Sequence, residues 1–180
     1  RVYKVKLQKA ESRSAIGDGS WTSFCALKVV RLEGQGVTLS KKQQRELDIS
    51  RQLDDAATAQ KKDDMNILRI IDGRCTQFDL QLLMPLYDGT LYQLVKAGKT
   101  RPPVADHQPD WLRDLSKGIL RGLAFLHECN VLHRDLSPVN IFVTTGGLSF
   151  EQCESHSPHR AVIGDFGESC RLQSKVGALA

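Results

Sequence analysis

Two short stretches carry oxygen-bearing side chains at a spacing suited to chemistry. Residues 133–140 read HRDLSPVN, and residues 165–167 read DFG. They supply an acid, Asp135, an amide five residues later, Asn140, and a second acid before glycine, Asp165. Such groups are the ligands that magnesium prefers. The set suits phosphoryl transfer, which depends on positioning and charge neutralisation more than on covalent chemistry by the protein.

The two stretches resemble the signature of the eukaryotic protein kinase family, serine/threonine type, in which HRDLxxxN is followed by DFG. By this resemblance Asp135 would orient the attacking hydroxyl and accept its proton. Asn140 and Asp165 would hold Mg²⁺, while His133 and Phe166 would pack in the core. Taken separately, His-Arg-Asp also suits a surface turn and Asp-Phe-Gly also suits a helix end.

A lysine upstream extends the resemblance. Lys28 ends an Ala-Leu-Lys sequence that is similar to Ala-x-Lys on the family's third strand. It would bind the α- and β-phosphates of ATP and pair with a helix glutamate, because an unpaired ammonium in a strand interior is unfavourable. Glu46 is the expected partner, with Glu33 and Asp48 as alternatives nearby. Otherwise Lys28 would be a strand lysine that faces outward.

The nucleotide would lie between two lobes. Residues 84–87 read Met-Pro-Leu-Tyr and resemble the segment that joins them, where backbone groups hold adenine. Val2, Ala26 and Phe142 would enclose the adenine ring or serve only as core. The residues expected to bind ATP are therefore Val2, Ala26, Lys28, Met84, Tyr87, Asn140, Phe142 and Asp165.

The elements that must position these residues follow from periodicity. Alternation and β-favouring residues predict an antiparallel pair of strands, then two further strands around a turn at Gly73. A polar run predicts one helix, followed by a loop or a frayed extension of that helix. The expected ranges are strands at 2–7, 24–30, 66–71 and 80–84, the helix at 38–53 and the loop or frayed extension at 54–64.

The second half of the chain is expected to be mainly helical. Thr90 caps a short helix through Ala97, and Asp110 caps a longer helix with an apolar stripe at three- and four-residue intervals. Short strands flank the two motifs, at 131–132, 141–143 and 161–163. Strands first and helices later predict an α+β, two-lobed fold like that of the kinases.

By the resemblance, residues 1–180 form a partial protein kinase domain. Residues 1–86 would be an N-lobe with an antiparallel sheet and one helix, and residues 87–180 would be the start of the C-lobe, through the DFG motif and part of the activation segment. The family's glycine-rich loop, whose amides cradle the phosphates, would be missing. The chain by itself is therefore expected to be inactive.

Ser137 departs from the family pattern. By the resemblance, Ser137 stands where serine/threonine kinases usually have lysine. A serine hydroxyl does not replace the cation that neutralises the moving phosphoryl group. Pro138 still resembles the serine/threonine class. The favoured hypothesis is an ATP-dependent protein serine/threonine kinase. A pseudokinase that acts as a nucleotide-binding scaffold or allosteric partner, and a small-molecule kinase on the same fold, remain open.

The segments around the second motif leave two questions open. Residues 145–159 suggest an inserted loop with Cys153, His156 and His159, which is either a flexible polar loop or a zinc site short of the four ligands usually required. Arg134 would await an anion on the activation segment, such as a phosphorylated side chain. Ser169 and Ser174 are the hydroxyls nearby, and a surface role suits either.

Composition narrows the partners and the compartment. Net charge is +4, with 41% hydrophobic and 26% charged residues, as in an ordinary globular protein. No basic run indicates nucleic acid, and no apolar stretch approaches the roughly 18 residues of a membrane span. Five widely spaced cysteines favour reduced thiols in the cytoplasm or nucleus. The expected partners are a protein substrate and a regulatory protein, with neither nucleic acid nor membrane.

Overall fold

The computed structural model of the protein describes residues 1–6, 24–32, 39–62, 65–97, 110–144 and 160–172. Within these ranges the chain combines helices with antiparallel sheets, as an α+β fold does. The strands are β1 (Val2–Lys6), β2 (Phe24–Arg31), β3 (Asp72–Cys75), β4 (Asp79–Pro85), β5 (Gly89–Thr90), β6 (Val131–Leu132), β7 (Ile141–Thr144), β8 (Arg160–Ile163) and β9 (Cys170–Arg171). The helices are α1 (Lys41–Gln60), α2 (Leu91–Lys96) and α3 (Asp110–Glu128), with a 3₁₀ turn at Phe166–Glu168.

The first half of the chain builds a four-stranded antiparallel sheet in the order β1-β2-β4-β3. The strand β4 alternates between buried and half-buried residues, and Leu80, Leu82 and Met84 are the buried ones. This alternation is the pattern of a strand with one face on a core. The predicted antiparallel pairing of the first two strands is confirmed.

Helix α1 begins at a capping box. The Ser40 hydroxyl accepts from the Gln43 N–H at 3.2 Å, and the Gln43 side chain accepts from the Ser40 N–H at 2.7 Å, which satisfies two of the helix's first donors. The helix continues to Gln60, so of the two alternatives expected from residue 54 the helix extension is correct and the loop is wrong there. Leu53 and Ala57 bury the same face as the preceding turns, and tertiary packing of that face extends the helix.

The apolar run at 66–71 does not form the expected ladder strand, and Gly73 is not a turn. Ile67 makes one isolated parallel bridge to Ile163, while Leu68 N–H donates to the Ile163 carbonyl at 2.8 Å. The strand that pairs with β4 is β3, and Gly73 lies within it, opposite Leu82. The pairing expected for 66–71 was wrong because the buried Ile67 and Leu68 contact β8. The exposed residues that follow, Asp72–Cys75, form the strand that pairs with β4.

The second half follows the prediction closely. Thr90 caps α2 with a second capping box, and α3 buries Leu115, Phe125 and Leu126. The short strands form a β5-β7-β8 sheet and a β6-β9 pair. A cluster of buried residues from α1, α3, β8 and the 3₁₀ turn joins the two halves; it comprises Ile49, Leu53, Ala57, Met65, Ile67, Phe125, Leu126, Val131, Ile163 and Phe166.

The connection between the two halves is short. Strand β4 ends at Pro85 in the four-stranded sheet, and β5 begins at Gly89 in the three-stranded sheet. Residues 86–88 therefore bridge the two sheets, and the Asp88 N–H donates to the Val143 carbonyl at 3.1 Å. The limits of the two lobes, at residues 86 and 87, stay a prediction.

Candidate active site

The two motifs meet because of the pairing between β7 and β8. Ile141 lies opposite Ile163 in this antiparallel pair. Asn140 precedes the first strand and Asp165 follows the second, so both stand at the same end of the sheet. The Gly164 N–H donates to the Asn140 carbonyl at 2.9 Å and extends the ladder by one bond. Two residues that are 25 positions apart in sequence are thereby held side by side.

Asp135 and Asn140 are bound directly to each other. The Asn140 Nδ2 donates to the Asp135 backbone carbonyl at 2.9 Å and to its Oδ2 at 3.0 Å. Asn140 is buried, whereas Asp135 is exposed. Because the amide nitrogen donates to Asp135, the amide oxygen is the atom of Asn140 suited to a cation. The arrangement gives one carboxylate open to a substrate and one oxygen ligand next to it.

Asp165 has a backbone conformation that few residue types adopt. Its φ and ψ are 61° and 78°, and its Oδ1 accepts from the Gly167 N–H at 3.3 Å. Arg134, in the other motif, also has a positive φ of 64°. For side chains other than glycine, this region costs roughly 1–2 kcal/mol per residue. Such strain clusters at functional sites, where the surrounding structure enforces it.

His133 and Phe166 hold the motifs from behind. His133 is buried, and its Nδ1 accepts from the Asp135 N–H at 3.3 Å. Its Nε2 is 3.0 Å from the Gly164 carbonyl, so the tautomer with hydrogen on Nε2 satisfies both contacts. The ring of Phe166 packs edge-on at a centroid distance of 5.6 Å. The predicted packing of this pair in the core is confirmed.

Lys28 and Glu46 form an ion pair between the sheet and α1. The Lys28 Nζ lies 2.6 Å from the Glu46 Oε1, and the two side chains are 26% and 12% exposed. Glu33 lies outside the described residues. The Asp48 Oδ1 instead accepts a hydrogen bond from the Gln44 Nε2 at 2.8 Å. The Glu46 carboxylate thus holds the Lys28 ammonium group between the sheet and α1 and compensates its charge there.

The residues expected around adenine share the face of the sheet that carries Lys28. Val2 is the cross-strand partner of Lys28, and Ala26 is the partner of Met84. Such partners, and alternate residues of one strand, lie on the same face. Val2 is 64% exposed, whereas Ala26 and Met84 are buried. The face therefore offers an apolar surface beside the ammonium group of Lys28.

This apolar surface reaches the second motif through Phe142. Met84 belongs to a cluster against which Tyr87 and Phe142 pack, and their rings are 5.6 Å apart. A Cβ on Gly164 would lie 2.8 Å from a ring carbon of Phe142 and 2.8 Å from a methyl of Leu68. The residue before Asp165 is thus packed against the surface expected to hold adenine. Met84, Tyr87 and Phe142, three of the residues predicted to bind the nucleotide, therefore lie in one packed cluster next to Asp165.

Three charged residues near the second motif were missed. Lys42 and Arg45 project from α1, and Glu168 follows Gly167. The Lys42 Nζ lies 3.3 Å from the Glu168 Oε1. The hydrogen bond that Lys42 donates to the Glu168 carboxylate, together with the charges of Asp165 and Asp135, raises the pKa of Lys42. The spacing of residues 42, 45 and 46 places them on one helix face, and the sequence shows this. The sequence does not show that Arg45 binds the carbonyl of Gly167, 122 residues away.

A cleft beside the motifs is lined by three arginines, Arg45, Arg134 and Arg171. It has a volume of about 1020 Å³ and lies between the start of α1 and β9. The surface role considered for Ser169 was wrong, because this side chain is fully buried and its hydroxyl donates to the His133 carbonyl at 3.1 Å. Ser174 lies outside the described residues.

Two further sequence-based expectations concern metal and membrane. Cys153, His156 and His159 lie outside the described residues. Elsewhere, in the part of the chain that the structure describes, no cluster of three or more His, Cys, Asp or Glu side chains could hold a metal ion. None of the helices in the described ranges is both long and apolar enough to cross a bilayer.

Comparison with known proteins decides the family. A family model for the protein kinase domain matches residues 13–178. The chain belongs to the protein kinase domain family. The family predicted from the two motifs, and the α+β fold predicted with it, are confirmed. Use of ATP and magnesium is typical of this family, whereas the role of each site residue in this chain stays a prediction.

The curated relatives described here are protein kinases by name. The chain is 31% identical to mitogen-activated protein kinase 6 of Oryza sativa subsp. japonica over 78% of its length, which is 38% of that relative. It is 31% identical to the dual specificity protein kinase YAK1 homolog of Arabidopsis thaliana over 86%, and 14% of that relative. It is 32% identical to cyclin-dependent kinase 4 of Ovis aries over 69%, and 40% of that relative. The chain thus spans well under half the length of these relatives.

Proposed function

We propose that the protein is an ATP-dependent serine/threonine kinase that transfers the γ-phosphate of ATP to a protein hydroxyl. The observation that carries this proposal is the convergence of Asp135, Asn140 and Asp165 through the β7–β8 pairing. The ion pair between Lys28 and Glu46 adds a phosphate-binding cation that is already oriented. If Lys28 and Glu46 were only a structural ion pair, or Asn140 only a buried polar residue, neither would need to occur together with the three converging residues.

The donor atoms fit magnesium and a nucleotide. Magnesium takes one or two protein oxygen ligands together with phosphates and water, and Asp165 and Asn140 offer one carboxylate and one amide oxygen. When bound, ATP supplies the phosphoryl group and magnesium neutralises its charge. The apolar face with Val2, Ala26 and Met84 would take the adenine ring, together with Tyr87 and Phe142.

The chain's own residues then have separate tasks. Asp135 would accept the proton of the substrate hydroxyl, and its exposure leaves it open to a protein substrate. Asn140 holds Asp135 in place through its Nδ2. Lys28 would bind the phosphates, and Glu46 would keep its ammonium from turning away. The contacts between Asp135 and Asn140 and between Lys28 and Glu46 support these assignments, together with the chemistry of each group.

The variant Asp135→Asn in the whole protein tests this proposal. It keeps the shape of the side chain and an oxygen that can accept from Asn140, but it removes the base. We expect phosphorylation of a generic protein substrate to fall by about a hundredfold or more, with Mg–ATP affinity unchanged. Asp114→Asn, on the exposed face of α3, is the matched control and should retain wild-type turnover. Wild-type turnover in Asp135→Asn would refute the assignment of the base.

A second candidate function is a pseudokinase scaffold, and Ser137 is the residue that favours it. The position lacks the cation expected beside the moving phosphoryl group. A scaffold would bind Mg–ATP in a thermal-shift assay and transfer nothing to protein. Phosphorylation of serine or threonine, identified by phospho-amino-acid analysis of the product, would exclude the scaffold.

The setting of the protein is proposed on related grounds. We infer a protein substrate, a regulatory protein partner, and a cytoplasmic or nuclear location. Cys25, Cys75, Cys129 and Cys170 are all free thiols, as is usual in a reducing compartment. The arginine-lined cleft would accept an anion from a phosphorylated segment, and such phosphorylation would regulate the enzyme.

A further inference from the structure

The start of α1 is tied to the segment after Asp165 by a group of ionic contacts. The Glu168 carboxylate lies 3.3 Å from the Lys42 Nζ and 3.8 Å from the Arg45 Nη1. Two backbone carbonyls beside it are also bound: Gly167 O accepts from the Arg45 Nη1 at 2.8 Å, and Glu168 O accepts from the Arg134 Nε at 2.6 Å. Three cations from two separate elements therefore converge on two consecutive residues.

Packing reinforces the ionic contacts. The aliphatic part of Lys42 lies over Gly167, where an added Cβ would meet the Lys42 Cγ at 2.7 Å. A side chain larger than hydrogen at 167 would push the lysine away. The contact between α1 and the 3₁₀ turn is thus close, and it involves both charge and shape.

The position of these contacts on α1 gives them a consequence for Lys28. Lys42, Arg45 and Glu46 lie on one face of α1, because residues three and four apart are neighbours on a helix. A contact that fixes the first two fixes the rotation and depth of the turn that carries Glu46. Glu46 in turn holds the Lys28 ammonium at 2.6 Å.

We propose that Glu168 is a positioning residue: its carboxylate, bound by Lys42 and Arg45, holds α1 where Glu46 reaches Lys28. The inference rests on the proposed kinase function, for which Lys28 must face the phosphates. It adds a residue outside the two motifs to the machinery. Half-exposed ion pairs are individually weak, so the effect arises from their combined hold on one helix turn.

The variant Glu168→Gln isolates the carboxylate, because the carbonyls of residues 167 and 168 keep their hydrogen bonds from Arg45 and Arg134. In the whole protein we expect the KM for ATP to rise about three- to tenfold, and kcat/KM for ATP to fall with it, as the loss of two exposed ion pairs allows. The KM for the protein substrate should stay unchanged, because the Lys28–Glu46 pair is proposed to act on the nucleotide. A role in general stability alone would not raise the KM for ATP selectively.

Glu128→Gln is the matched control. Glu128 pairs with Lys62, which lies two residues beyond the end of α1; the Lys62 Nζ is 2.8 Å from its carboxylate, and the two pairs have similar exposure. It lies at the other end of the helix. This variant should stay within about twofold of wild type, because the pair is exposed and remote from Lys28.

A double-mutant cycle tests the partner. Lys42→Met removes the charge and keeps an unbranched side chain over Gly167. If Lys42 acts through Glu168, the double variant should lose no more activity than Glu168→Gln, since the coupled pair is not additive. Multiplied losses, equal losses in Glu128→Gln, or an unchanged KM for ATP in Glu168→Gln would each overturn the proposal.

A readout without activity separates this proposal from the proposed function. Hydrogen–deuterium exchange of residues 41–47 should be about three- to tenfold faster in Glu168→Gln and unchanged in Glu128→Gln. If exchange rises but the wild-type protein transfers no phosphate, the kinase proposal fails while the tie to α1 stands. If the wild type is active and neither exchange nor KM changes, only the role of Glu168 is refuted.

Discussion

Removing one partner of the ion pair between Lys28 and Glu46 should have unequal effects on stability. Glu46 is the more buried partner, with a side chain 12% exposed against 26% for Lys28. Lys28→Met leaves the buried Glu46 carboxylate without a cationic partner. Glu46→Gln leaves the Lys28 ammonium with a neutral acceptor and some access to water. Breaking a buried pair costs about 3–5 kcal/mol, and partial exposure reduces this. We expect a loss of about 2–3 kcal/mol for Lys28→Met and about 1–2 kcal/mol for Glu46→Gln.

The double variant Lys28→Met/Glu46→Met separates stability from function. With both charges gone and no group left unpaired, stability should return to within about 1 kcal/mol of wild type. Binding of Mg–ATP should not return, because the phosphate-binding cation is absent. Urea denaturation with a common slope gives the stabilities, and calorimetric titration gives the binding. The reasoning would be refuted if Glu46→Gln were the less stable single variant, or if the double variant were no more stable than Lys28→Met.

Three further predictions follow from single positions. Gly164→Ala should destabilise the protein by about 1–3 kcal/mol in thermal denaturation, because two side chains lie 2.8 Å from its Cβ site; Gly73→Ala, whose nearest neighbour is at 3.4 Å, should change stability by less than about 1 kcal/mol, and equal losses would contradict the packing argument. Cys75 is exposed, whereas burial raises the pKa of Cys25; mass spectrometry after maleimide treatment of the native protein should find Cys75 labelled long before Cys25, and the reverse order would show that the buried site opens. Ser137→Lys should raise kcat several-fold by restoring a cation near the transferred group, and a rate no higher than that of wild type would mean that the missing lysine does not limit turnover.

Local patterns predicted much of the fold. The capping residue Thr90 and the strand at 80–84 each reflect interactions within a few residues, and the structure has both. The run at 66–71 was misplaced for the opposite reason. Its apolar residues suit a ladder strand and a buried extended segment equally, and only the position of β8 decides between them.

The site was predictable where its residues lie in one motif or in a strand next to one. Asp135 and Asn140 are five residues apart, and their contact follows from the local loop. The ties from Lys42 and Arg45 to Glu168 join residues more than 120 positions apart, and no periodicity in the sequence encodes them. They depend on how α1 packs against the 3₁₀ turn, which is set by long-range burial rather than by spacing.

Magnesium-dependent binding of ATP by Asp165→Asn tests most directly whether the two motifs and Lys28 form one nucleotide site. Asparagine tolerates the positive φ of 61° found at this position, so the variant removes the charge without new strain. In titrations of the whole protein with and without Mg²⁺, the wild type should bind ATP more tightly with the ion. Asp165→Asn should lose about ten- to a hundredfold in Mg²⁺-dependent affinity, while Asp114→Asn keeps it. An undiminished magnesium effect in Asp165→Asn would contradict the account.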